Sequence, residues 1–418
     1  MSYIPAVNTG LSLGLIIVIG YVLGATKRIK SHFYTGLNQY VFNLALPSAV
    51  CMQIWGASLD QWGDMVWRFI NVWIVFRLTM LTLSSIFARF KKQHLGNVCV
   101  HWLGTTWAST ILIGGPFLKA LYGQPQWGLF AAVSSWICQL PPMLIMFELY
   151  KVQRDYSIEV DEKKKLEKEK VVETKSDSEE ETKEIENTND NDDNNDGVQP
   201  EVSSQSNEEG SPEKEVSIEV ADEATSLLPE FIPFKVALRK VSYKKILFKI
   251  LTNPVIIALV LGWSLNLLNI DRPGINDQGS DDTDPLFWIM QFLQTVGPTA
   301  TPVAMFAIGM FAASKGSVKK IVSCGWKKLA IYLCIKMLVT PFIIMPVVAL
   351  FGLTGVPARA AVHVVATPIS MASFALTTQY GIGNDLMSAM ITFGAIIIMP
   401  VIVFFEFFMD TFNIFTLP

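Results

Sequence analysis

Residues 101–123 read HWLGTTWASTILIGGPFLKALYG, and residues 362–381 read VHVVATPISMASFALTTQYG. Each is an apolar stretch close to the roughly 20 residues a helix needs to cross a bilayer. Each is also interrupted near its middle: the first by Ser109, Thr110, Gly114, Gly115 and Pro116, the second by Thr367, Pro368, Ser370 and Ser373. Proline removes a backbone donor and glycine weakens a helix, so N–H and C=O groups are freed at membrane depth, where only protein or a wet cavity tolerates them. Two interrupted helices in corresponding places of two halves point to a substrate site at the bilayer midplane. The plain alternative is a pair of proline kinks packed by small residues.

The rest of the chain has the same character. Of 418 residues 51% are hydrophobic and 17% charged, the mean hydropathy is +0.37, and most charges sit between Lys151 and Glu230 or in short clusters between apolar runs. Hydropathy predicts an all-α membrane protein with spans near 6–25, 33–56, 66–88, 97–121 and 126–149, then 246–269, 286–313, 322–350, 357–380 and 386–409. The first 25 residues lack a basic start and a cleavage site, so the opening run reads as a span. Basic residues of short loops (Lys27, Arg28, Lys30; Arg89, Lys91, Lys92; Lys315, Lys319, Lys320) fall on one side, which predicts a cytosolic position for them and for the long insert, with both termini outside or lumenal. Residues 1–150 and 246–418 are thus two five-span halves, and 151–245 is a cytosolic loop. Between 152 and 230 that loop is too polar to bury a core and is expected to be disordered. The net charge of −4 describes mainly this loop and carries no nucleic-acid footprint.

Shifting the first half by 258 residues sets Tyr122-Gly123 on Tyr380-Gly381, Pro142 on Pro400, and Phe147-Glu148 on Phe405-Glu406; with one further residue Arg77 meets Lys336. An odd number of spans per half gives the second copy the opposite orientation, the inverted repeat of secondary carriers. Arg77 and Lys336 are the basic residues deepest within spans. A charge at the bilayer centre costs about 2.5–3.5 kcal/mol on insertion scales, so these two either attract a substrate carboxylate or bind the carbonyls of the broken helices. Glu148 and Glu406 sit at span ends and read as interfacial. The five cysteines and four histidines show no metal spacing, HExxH motif or intramembrane aspartate pair, so an enzyme reading has no chemistry and no cofactor is expected.

STILIGGPFLKALYG (109–123), followed by Met146-Phe147-Glu148, resembles the auxin efflux carrier family, the PIN and PIN-like membrane transporters. NQYVFNLALPSAV (38–50), TNPVIIALVLGWSL (252–265), TPVAMFAIGMFAA (301–313), Lys336 and ATPISMASF (366–374) fit the same family, so the resemblance covers both halves and excludes the loop. It implies a ten-helix fold of two inverted five-helix repeats. Spans 1, 2, 6 and 7 form a scaffold, spans 3–5 and 8–10 form a mobile unit, and the broken fourth and ninth helices cross beside the substrate. The implied activity is elevator-type transport of a small organic anion such as a carboxylate. Ser109 stands where the family commonly has asparagine, Ile369 where it has a polar residue, and Ser373 where the plant pattern has a second proline.

The expected substrate-binding residues are Ser109, Thr110, Gly114, Pro116, Ser135, Thr367, Pro368, Ile369 and Ser370, with Arg77 and Lys336 as supporting charges. No acidic side chain reads as lying near the middle of a span, so uniport driven by the membrane potential is expected. Membrane lipids are the other expected partners, in the plasma membrane or endoplasmic reticulum, and a homodimer is left open. The alternative of a different class is a transport-dead sensor or scaffold signalling through the loop; such a receptor should carry a folded cytosolic module, and 152–230 shows no sign of one.

Overall fold

The computed structural model describes residues 3–30, 33–55, 63–160, 241–268, 287–316 and 321–416. Among them the regular structure is helical, and the only sheet-like pairing is an isolated antiparallel bridge between Ala108 and Ile369. Six helices are long and apolar enough to cross a bilayer: Ile4–Ala25, Asp64–Phe90, Gln126–Val160, Phe287–Ser314, Trp326–Leu350 and Asn384–Thr411. Tyr243–Leu251 and Pro254–Leu267 make a seventh if taken as one span bent by 57°. The bend falls where Pro254 starts a helix, capped by the Asn253 side chain, which accepts from the Val255 N–H at 3.0 Å.

Three of the expected spans contain no helix that qualifies in this way. Residues 33–55 are helical but carry Asn38, Gln39, Asn43 and Gln53, and pass through a π-helical turn at Val41–Ala45. The other two are the interrupted stretches: Leu95–Thr106 followed by Thr110–Tyr122, and Gly355–Ala366 followed by Met371–Tyr380.

Met1–Tyr150 and Ser242–Pro418 form one compact unit, and Lys151–Val241 a second. In the second unit residues 151–160 are helical, so the stretch expected to be disordered from 152 opens with ordered helix. Val152, Tyr156 and Val160 recur every fourth residue there and give one apolar stripe. The remainder of the expected tether, and the acidic stretch 270–285, lie outside the described residues.

Small residues set the closest packing in the first unit. A Cβ at Gly20 would run into the Phe306 carbonyl, and one at Gly309 into the Ile17 carbonyl. Ile4–Ala25 and Ala300–Ser314 therefore meet backbone to backbone, as membrane helices do when dispersion rather than water drives association. The opposite side of the first helix leaves Leu11, Leu15, Val18 and Val22 exposed, an apolar face suited to hydrocarbon. Elsewhere Asn266 donates to the Ile54 and Trp55 carbonyls at 3.1 and 3.2 Å. It closes a cluster of Cys51, Trp55, Ala258, Met290 and Leu293.

Candidate substrate site at the helix crossing

The two interrupted helices pair with each other. Leu95–Thr106 ends at Trp107 and resumes as a π-helical turn at Thr110–Gly114; Gly355–Ala366 ends at Thr367 and resumes at Met371. Across the gap the Ser109 N–H donates to the Pro368 carbonyl at 2.8 Å and the Ser370 N–H to the Trp107 carbonyl at 2.9 Å. Backbone groups freed in one helix thus satisfy those freed in the other, which is the condition for irregular backbone at membrane depth. The first break lies at Trp107–Ser109, at the first of the residues that signal it and ahead of the Gly114-Gly115-Pro116 run. Pro116 lies inside the run Thr110–Tyr122, just after the π-helical turn Thr110–Gly114 gives way to α-helix.

Lys336 holds the two breaks together. Its Nζ donates to the Thr105 carbonyl at 3.2 Å and the Val365 carbonyl at 3.0 Å, one near the C-terminal end of each upstream half-helix. Those ends carry unsatisfied carbonyls and the negative end of the helix dipole, so a cation is stabilised there. Arg77 does related work on the fifth helix. Its Nη1 donates to Ser134 Oγ at 2.7 Å and its Nη2 to Ser135 Oγ at 2.5 Å, at the start of the π-helical turn Ser135–Gln139. Both cations are buried, and neither lines a cavity at the crossing.

A cavity of about 20 Å³ opens at the first break, with Ser109, Thr110, Ser135 and Ser370 among its lining. That is room for about one water. Four of the expected site residues therefore line this cavity. Gly114, Pro116, Thr367, Pro368 and Ile369 do not line it. The Thr367 hydroxyl turns back to the Val364 carbonyl at 2.8 Å, and Ile369 is buried opposite Ala108. Beyond the shared wall of Trp107 and Trp136, packed edge to face at 5.7 Å, lies a second cavity of about 210 Å³. Its lining includes Phe42, Asn43, Asn253, Ala372 and Gln379. Both tryptophans escaped the sequence reading, although Trp107 stands inside the interrupted stretch, two residues before Ser109.

Away from the crossing, the repeat-matched tyrosines and glutamates exchange partners between halves. Tyr380 donates to Glu148 Oε1 at 2.7 Å, where Lys249 also pairs at 3.0 Å, and Tyr122 donates to Glu406 Oε2. Glu148 is partly exposed, and Glu406 is fully buried within the protein. It lies five residues before the end of Asn384–Thr411, and Arg359 of the neighbouring helix pairs with it at 2.8 Å and compensates its charge inside the protein.

The family model described as membrane transport protein matches residues 6–406. The chain belongs to that family. This membrane transport protein is 32% identical over 107 residues to "Probable auxin efflux carrier component 5a" of Oryza sativa subsp. japonica, covering 26% of this chain and 29% of the relative. It is 27% identical to "Auxin efflux carrier component 6" of Arabidopsis thaliana over 161 residues, 38% of this chain and 25% of the relative. With "Auxin efflux carrier component 5" of Arabidopsis thaliana it shares 27% identity over 159 residues, 37% and 41% of the two chains. The matched stretches thus span about a quarter to two-fifths of these relatives. As an auxin efflux carrier-like member of the membrane transport family, it is an integral membrane protein.

Proposed function

We propose that this protein is a secondary carrier that moves a small organic anion, such as a carboxylate, by elevator motion of a unit containing the two interrupted helices. The reading rests on one observation: two broken helices bridged backbone to backbone at Ser109–Pro368 and Trp107–Ser370, beside a cavity, with a buried lysine tying their ends. Hydroxyls of Ser109, Thr110, Ser135 and Ser370 supply uncharged donors at the small cavity, while the adjoining larger one has room for an organic body between aromatic walls and amides. N–H groups at the resumed helices favour negative charge, which makes the cargo an anion.

In this reading ten crossings form two inverted five-helix repeats. The exchange of Tyr122 with Glu406 and Tyr380 with Glu148 supports it, since residues 258 apart play equivalent parts. The loop side is cytosolic and the termini are outside or lumenal. The relatives are named auxin efflux carriers, which supports a carrier reading. Uptake of a panel of monocarboxylates into proteoliposomes tests the proposal. Ser109→Leu should abolish uptake at unchanged expression and melting temperature, because leucine fills the small cavity and removes a hydroxyl; undiminished uptake would place the site elsewhere.

A further inference from the structure

The larger cavity lies between two groups of helices. Phe42, Asn43 and Asn253 line it from one side, and Trp136, Leu376 and Gln379 from the other. The first side is a fastened body. A Cβ at Gly262 would lie 3.0 Å from the Cys51 carbonyl oxygen and one at Gly297 would lie 3.0 Å from the Ala49 Cα, while Asn266 ties Pro254–Leu267 to the Ile54 and Trp55 carbonyls. Helices packed this closely move together. The second side carries the crossing. Trp136 follows Ser135 in the π-helical turn, and Leu376 and Gln379 belong to Met371–Tyr380, the half-helix that resumes after the second break.

Lys249 reaches from the first group to the second. It stands on Tyr243–Leu251, about one turn before Asn253 and ahead of the 57° bend. Its Nζ donates to Glu148 Oε1 at 3.0 Å and to the Tyr380 hydroxyl at 3.3 Å, and lies 5.3 Å from the centre of the Tyr380 ring. Tyr380 donates in turn to Glu148 Oε1 at 2.7 Å and stacks on Phe147 at 4.8 Å. Cation, carboxylate and phenol thus close a triangle. Tyr380 is next to Gln379, and Glu148 stands about two turns beyond Leu140, another residue of the cavity wall. The triangle therefore bounds the cavity at the end from which Lys151–Val241 departs. Glu148 and Lys249 are both partly exposed. A tie so placed biases two arrangements by a small factor and is weak enough to open in each cycle.

We propose that Lys249, Glu148 and Tyr380 form a latch that closes the loop-side end of the larger cavity, and that cargo reaches the crossing from that side when the latch parts. The proposal rests on the carrier reading for its cargo, but the opening of the cavity is read without one. In the full-length chain carrying Cys138→Ala, Cys324→Ala and Cys334→Ala, which remove the cysteines that are not buried, Gln379→Cys places a thiol in the cavity. A membrane-impermeant thiol reagent is added, without cargo, to sealed vesicles whose loop side faces outward. The thiol should react roughly two- to fivefold faster once Lys249→Gln or Glu148→Gln is added, the ratio that a partly exposed ion pair supports. Lys249→Arg keeps the charge and should hold the rate at its starting value. Arg68→Gln, which breaks an exposed pair with Asp64 elsewhere, should leave the rate unchanged too. Equal rates with the latch intact and in either glutamine variant overturn the proposal. A rise that Lys249→Arg shares overturns it as well, because charge would then not be what holds the cavity shut. Uptake of a monocarboxylate is measured beside the thiol rate. A faster thiol reaction with no carboxylate carried keeps the latch and loses the carrier reading; carboxylate uptake with an unchanged thiol rate keeps the carrier and loses the latch.

Discussion

Lys336 touches the carbonyls of both interrupted helices and lines neither of the two cavities at the crossing, so its contribution should register in stability before it registers in cargo affinity. Lys336→Met leaves two buried acceptors without a donor, each costing about 1–3 kcal/mol. Thermal unfolding in detergent should show a melting temperature several degrees lower; an unchanged melting temperature with a raised KM would instead make Lys336 the counter-charge of the cargo. The lysine itself was visible in the sequence as a deep charge, and so was Arg77. Which of two roles they play was not, because a carbonyl that needs a cation looks like any other until the helix above it is seen to end. The burial of Glu406 was hidden for a similar reason: it depends on Arg359 and His363 of another helix, forty-odd residues away in the chain.

At the scale of elements, the breaks were legible and their positions less so. Ser109, Thr110, Gly114, Gly115 and Pro116 announce an interruption, and the helix opens at the first of them, over Trp107–Ser109, where pairing with Pro368 and Ser370 is available. Local propensity marks where a helix is weak, and tertiary hydrogen bonds choose where it parts. The contact between Ile4–Ala25 and Ala300–Ser314 has no such latitude, since Gly309 lies against the Ile17 carbonyl. Gly309→Val should force the two helices apart at a cost of about 1–3 kcal/mol or more. The outcome is read from the fraction of monodisperse protein and its melting temperature, with Gly14→Val as the contrast, because a Cβ there meets nothing within 4 Å. Equal behaviour of the two variants would contradict the close packing.

On the scale of the whole molecule, both halves belong to one compact unit, and the polar stretch between them contributes no apolar core by composition. Deleting residues 165–225 should therefore leave yield, dispersity and melting temperature as they are. Aggregation of the shortened protein in detergent would show that the stretch takes part in folding. The all-helical membrane class was readable because hydropathy reports directly on the solvent a segment prefers. The meeting of the halves was only hinted at, by six pairs of matched residues, because packing between distant segments leaves no periodic trace. Those pairs also end in unequal surroundings. Glu148 is met by Lys249 with both side chains partly exposed, at 21% and 36%, whereas Arg359 grips Glu406 at 3% and 0%. Mobile counterions reach the first pair and not the second, and at 1 M ionic strength the screening length falls to about 3 Å. Ionic strength is therefore a one-sided control on this protein: concentrated salt loosens the tie between Glu148 and Lys249 and leaves the one at Glu406 closed.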